Sequence, residues 1–281
     1  FVDFGPTLLE LAGIEIPAGI DGLPFLGKDI SSKEVKEQQV TYGYADRFDE
    51  KYDMVRTVRK GDFKYMRSYQ PFNVDGLQNN YRYKCLAFQQ WRELYRAGEL
   101  NNFQSAFFEP REPEALYDLS VDPYEIHNLA LDPAYVDKLI SMRTLMDDWV
   151  KGMPDLSFFP ENMLRMDAFG NPVLFGEQHK MDIASLIDIA NLELLPFEEA
   201  HDGIESALKA ENPLEVYWGL IVCSSFGKEA AGFREQALEL CVHENLLVRT
   251  RAAEFLGLTA LGDPVPVITE ALYASEDGVE A

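Results

Sequence analysis

The chain has 281 residues, of which 47% are hydrophobic and 12% aromatic, enough for one large or two modest folded cores and too apolar for a disordered chain. A net charge of −23 excludes nucleic acid and anionic membrane surfaces as main partners. No uninterrupted apolar run reaches the roughly 18 residues of a membrane-spanning helix, and a start without Met, basic n-region or cleavage site reads as a piece of a longer chain.

In chain order, FGPTLLELAG reads as a short helix with Pro6 in its first turn, apolar Leu8, Leu9, Leu11 and Ala12, and Gly13 to end it. A Gly- and Pro-dense loop follows, with Asp21-Gly22 as a turn. Residues 39–45 and 53–69 alternate like strands, and Lys60-Gly61-Asp62 folds the second stretch into a hairpin. Tyr83, Leu86, Ala87, Trp91, Leu94 and Tyr95 recur at helical spacing over residues 80–98.

LYDLSVDPYEIHNLALDP begins as a strand at Leu116–Leu119. Its acids and His127 raise the question of a metal or acid–base site, but Asp122-Pro123 suits a turn and Asp132-Pro133 a helix start. Val136, Leu139, Ile140, Leu145, Met146 and Trp149 then form an apolar stripe, closed by Gly152 and Pro154. Residues 156–200 read as an irregular linker. From residue 201 the chain turns rich in Ala, Leu and Glu, and two similar helical pairs end at Gly227 and Gly262, 35 residues apart. That spacing suggests HEAT-like repeats over 201–281, too few to stand without packing on what precedes them. The expected fold class is therefore α+β: a small antiparallel sheet packed with helices over 1–155, the linker, then the helical repeats.

Cys85, Cys223 and Cys241 have no ligand spacing and read as buried apolar thiols. His127, His179, His201 and His243 form no HxH or HxxxH pair, so no metal site is expected, and no nucleophile elbow, phosphate loop or dinucleotide fingerprint occurs.

Three passages carry a resemblance. FVDFGPTLLELAGIEIPAGIDGLPFLGKDI, VRTVRKGDFKYMRSY and LYDLSVDPYEIHNLALDP, in that order, resemble stretches of the C-terminal subdomain of type I sulfatases, in the alkaline phosphatase superfamily. They span about residues 1–155, and the Pro71-Phe72 insertion with its helix is most similar to the sulfamidase-like members acting on N-sulfoglucosamine. The resemblance implies a hydrolase of sulfate esters or sulfamates on a sulfated carbohydrate, secreted or periplasmic. It also implies a formylglycine nucleophile and a calcium ion. The formylglycine motif C/S-x-P/A-S-R is absent: Cys85 sits in KCLAF, Cys223 in CSSFG and Cys241 in CVHEN. The paired Asp ligands of the calcium are missing too. The nucleophile and the metal are therefore expected upstream, in a catalytic domain that would be this region's first partner. No catalytic residue and no cofactor is assigned to this chain.

Residues 40–100 hold 11 Lys/Arg against 8 Asp/Glu, a local +3 that leaves −26 on the rest. By the resemblance, loops of this subdomain rim the catalytic pocket. Asp46 and Arg47 are thus candidates to bind sugar hydroxyls and a sulfate or uronate, with Lys64 and Arg67 next. The alternative is a solvated charge run guarding an edge strand. Two other functions stay open: a non-enzymatic module binding a protein partner through its helical repeats, and a phosphonate or phosphate ester hydrolase of the same superfamily.

Overall fold

Two-residue loops favour primed turns, and Lys60-Gly61-Asp62-Phe63 makes one: Lys60 pairs with Phe63, and Gly61 takes the left-handed φ of 61° that an L side chain resists. In this computed structural model, which describes residues 2–28, 30–33, 35, 40–48 and 50–275, that loop joins β2 (Lys51–Lys60) to β3 (Phe63–Ser68). β1 (Val40–Phe48) pairs with β2, and β4 (Glu114–Asp118) with β3, giving an antiparallel sheet in the order β1-β2-β3-β4. Residue 39, the expected start of the first strand, and Asp49 lie outside the described residues. The α+β class holds.

The ladder between β1 and β2 is broken once. Ala45 faces Val55 but Arg47 faces Tyr52, so Asp46 stands opposite two residues, Asp53 and Met54. This is a β-bulge, and Met54 adopts a φ of 58° although its side chain is fully buried. A bulge of this kind bends its strand and increases the local twist.

α1 (Phe4–Leu11) ends at Gly13, with φ 68°, as its sequence predicts. Its apolar face is not covered: only Pro6 and Thr7 are buried, while Leu8 and Leu11 are exposed. In the β3–β4 connection, α2 (Leu86–Arg96) has no buried residue, and Leu86 is exposed rather than part of a core stripe. The reason is local. α2 packs against its own return segment, with Trp91 stacked on Phe107 and Tyr95 on Phe108 at centroid separations of 4.5 and 4.6 Å.

The Asp122 carboxylate accepts the backbone N–H of Ile126 and of His127, both at 2.8 Å, and Asp132 accepts that of Ala134 at 2.9 Å. These carboxylates organise a turn and a helix entry. α3 (Val136–Gly152) buries Leu139, Met142, Met146 and Val150 on the sheet, leaving Val136 and Ile140 exposed. The buried stripe is therefore rotated from the predicted one by the choice of Met142 and Val150 over their neighbours.

The stretch read as an irregular linker holds α4 (Pro172–Gln178) and α5 (Lys180–Ala190), and Ile183, Leu186, Ile187 and Ala190 of α5 are fully buried. Beyond it come α6 (Phe197–Leu208), α7 (Pro213–Phe226), α8 (Arg234–Leu240), α9 (Leu246–Leu258) and α10 (Val265–Ala274). α7 packs against α5, α6 and α9. It is apolar all round, with nine consecutive buried residues from Val216 to Ser224, the signature of a central helix. One hydrophobic core runs from Met54 on the sheet through α3 and α5 to Trp218 and Ile221. A second, from Ala200 to Leu256, takes Val216, Leu220 and Cys223 from the other side of α7. The core thus crosses residues 155 and 200 without a break. Of the cysteines only Cys223 is a buried thiol, pushed up to about 12 by that burial; Cys85 is exposed and Cys241 half-buried. Among the described residues no helix is long and apolar enough to cross a membrane.

Candidate functional site: a cleft between sheet and helices

Beyond the bulge, the β1–β2 tip borders a cleft of about 470 Å³, within the range of small-ligand sites. One side is the tip itself, Arg47, Glu50, Lys51 and Tyr52, and another is the segment after β3, with Gln70, Asn73 and Gln78. The floor and far wall come from residues 157–162, from Tyr217 and Trp218 on α7, and from Arg251 and Glu254 on α9. Trp218 is fixed by its indole N–H, which donates to the Phe158 carbonyl at 2.9 Å.

Each cation lining this cleft is paired with a carboxylate. Arg47 forks onto Glu161, its Nε donating to Oε1 at 2.7 Å, with both side chains half-exposed at the mouth. The Arg251 guanidinium donates to Glu254 Oε2 (2.6 Å) and to the Tyr217 hydroxyl (2.7 Å). Burial alone would lower its pKa, but Glu254 and Tyr217 outweigh that and hold the cation. Lys51, almost wholly buried, donates to Asp75 (2.8 Å) and Asp53 (3.0 Å). Glu50 accepts the Asn80 backbone N–H at 3.2 Å. The Tyr52 hydroxyl donates to the Ser157 carbonyl (3.3 Å), and burial, then Asp46, raise its pKa.

The structure separates the four residues singled out from sequence. Arg47 lines the cleft. Asp46 lies behind it, one carboxylate oxygen accepting from Arg56 (2.8 Å) and the other from the Ser157 hydroxyl (2.9 Å). Lys64 is bound to Glu125 by contacts of 2.8 Å and is not in the cleft. Arg67 is 1% exposed: it donates to the carbonyls of Ser68, Pro113 and Ala190 and lies 2.5 Å from Glu193. Its place is inside the protein, against three carbonyls and a carboxylate. Tyr217, Trp218, Arg251 and Glu254 were not anticipated. The signal was the all-round apolarity of α7, which marks a helix flanked on every side and therefore bordering whatever cavity lies between its neighbours.

Among the described residues, His201, Asp202 and Glu205 bring three possible ligand atoms within 4.8 Å of one another. They sit on the surface of α6, where Glu205 pairs with Lys209 at 2.5 Å. A calcium ion takes six to eight oxygens, and this trio with its imidazole does not fit one.

No protein-family model matches the chain. It is 37% identical over 165 residues to an ulvan-active sulfatase of Formosa agariphila, covering 58% of this chain and 27% of that protein. A second ulvan-active sulfatase of the same organism is 30% identical over 172 residues, covering 58% of this chain and 30% of its own length. A solved chain from Bacteroides thetaiotaomicron, described as a proposed sulfatase, shares 25% identity with a TM-score of 0.34 over 55% of this chain and 25% of its own. The chain thus spans less than a third of the curated relatives it matches, and it contains a sulfatase-related region.

Proposed function

We propose that this chain is the non-catalytic, substrate-shaping C-terminal part of a sulfatase that acts on a sulfated carbohydrate, ulvan in the first instance. The observation that carries the reading is the 37% identity, over more than half the chain, to a protein described as an ulvan-active sulfatase. The formylglycine and the calcium site belong to a catalytic domain upstream, since no C/S-x-P/A-S-R sequence is present, and the chain alone is inactive. The parent is secreted or periplasmic, as polymeric glycan requires. The sheet and its hairpin tip meet the catalytic domain and the glycan, with Arg47 at the cleft mouth as the residue that touches sugar. Asp46 acts on it only by holding the tip through Arg56 and Ser157. The helices from α6 onward are HEAT-like, and the sulfamidase-like subgroup remains the likeness suggested by the Pro71-Phe72 insertion.

A second reading has one observation in its favour. Val265, Ile268 and Leu272 of α10 are exposed, as on a repeat face that receives a protein partner.

The test uses the full-length parent. Arg47→Ala lowers kcat/KM for sulfate release from ulvan oligosaccharides about tenfold, a loss of roughly 1.4 kcal/mol, and leaves a small aryl sulfate unaffected. Equal rates on both substrates defeat the pocket role of Arg47. Release of phosphate or phosphonate instead of sulfate assigns the parent to another branch of the superfamily.

A further inference from the structure

We propose that the cleft between the β1–β2 tip and helices α7 and α9 is a saccharide subsite for uncharged pyranose rings. It would grip the unsulfated part of a glycan rather than its sulfate. The choice of sugar as the polyhydroxylated ligand rests on the proposed function; the preference for a neutral ligand rests on the cleft alone.

Charge decides against an anion. The cations that line the cleft, Arg47, Lys51 and Arg251, are each bound to a carboxylate, and Glu50, Glu161 and Glu254 face the same space. A sulfate or carboxylate entering here would meet cations already neutralised by carboxylates, with Glu50, Glu161 and Glu254 at close range. The protein's charge of −23 adds to that repulsion.

The same arrangement suits hydroxyl groups. Two guanidinium–carboxylate pairs, Arg47 with Glu161 and Arg251 with Glu254, each put strong donors beside strong acceptors. A vicinal diol needs that combination, because each hydroxyl donates once and accepts as well. Tyr52 and Tyr217 also line the cleft, each with a guanidinium over its ring, Arg47 over Tyr52 and Arg251 over Tyr217. These rings are already fixed: Tyr52 by Ser157, Tyr217 by Arg251, whose guanidinium carbon lies 4.8 Å from the ring centroid. A preformed wall binds without first ordering its side chains. The helical region is therefore part of a binding site and not only an appended scaffold.

The experiment titrates the 281-residue chain with neutral tetrasaccharides of glucose, xylose, mannose, galactose and rhamnose, and with inorganic sulfate. Binding is read by calorimetry and by tryptophan emission, since Trp218 borders the cleft. At least one tetrasaccharide binds saturably and inorganic sulfate does not. Arg251→Gln and the exposed Glu161→Gln each weaken that sugar about tenfold, near 1.4 kcal/mol, and Tyr217→Phe weakens it severalfold. Lys209→Gln, at the exposed C-terminal end of α6 and outside the cleft lining, binds as the parent does. Glu161→Gln guards against a folding artefact, because its half-exposed side chain is not part of either core. The proposal is overturned if no tetrasaccharide binds, if inorganic sulfate binds more tightly than every sugar, or if sugar binding survives both Gln variants. Sugar binding here together with no sulfate release by the full-length parent would leave the subsite standing and remove the sulfatase reading. Sulfate release with no sugar binding would do the reverse.

Discussion

Arg56 and Arg67 stand directly opposite each other on β2 and β3, both fully buried on the face that meets the helices. Like charges in that position repel, so each needs its own carboxylate. Arg56 takes Asp155, from the turn after α3, through contacts of 2.6 and 3.0 Å; Arg67 takes Glu193, from the turn after α5. Burial raises the pKa of Glu193, and the opposing pull of Arg67 does not cancel it. Removing one partner is then costly: Arg67→Met strands a buried carboxylate and lowers unfolding stability by about 3–5 kcal/mol in urea titrations. Adding Glu193→Leu recovers most of that loss, and failure to recover would show the pair to be more than self-compensating. Asp53 supplies a pH dependence. Burial would raise its pKa, but Arg111 and Lys51 outweigh burial and hold it below the usual carboxylate range. A depressed folded pKa contributes stability that is complete above the unfolded value of about 3.9 and is lost as pH falls through the folded one. Thermal melts of Asp53→Asn between pH 2 and 6 therefore show a shallower acid limb than the parent.

Helix entries and turns follow directly from single residues. Asp132-Pro133 pairs an acceptor for the first free N–H with a residue that has none to satisfy, and the helix starts there. Asp132→Ala costs about 1 kcal/mol by urea denaturation. The hairpin around Gly61 and the end of α1 at Gly13 were readable for the same reason, because local chemistry decides them. What was not readable depended on partners distant in sequence. Arg67 and Glu193 are 126 residues apart, and nothing in FKYMRS tells a ligand-facing arginine from one sealed under a helix turn. Arg47 and Glu161 are likewise brought together only by the fold. The far wall of the cleft was invisible for a different reason: Tyr217 and Trp218 look like core in any periodicity count, and they are core on one side.

α7 belongs to both hydrophobic cores, so the sheet half and the helical half fold as one unit. A fragment of residues 1–200 lacks Trp218 and Ile221, which complete the first core, and it exposes apolar surface, binds hydrophobic dyes and shows no cooperative melt. The intact chain melts in a single transition followed by near-ultraviolet circular dichroism and tryptophan emission alike. Two separated transitions would mean that α7 couples the cores less than its burial implies.

The extra residue in β2 opposite Asp46 carries a further consequence. Arg47 pairs with Tyr52 beyond the bulge, so deleting one residue of the Asp53-Met54 pair would restore an even ladder, keep those partners together, and remove the bend and added twist that a bulge gives its strand. The wall formed by Arg47, Lys51 and Tyr52 would be re-aimed with none of its own residues replaced. Among relatives of this chain, a change of ligand can therefore be written as a single-residue gap in the hairpin, where an inventory of substitutions would find nothing altered.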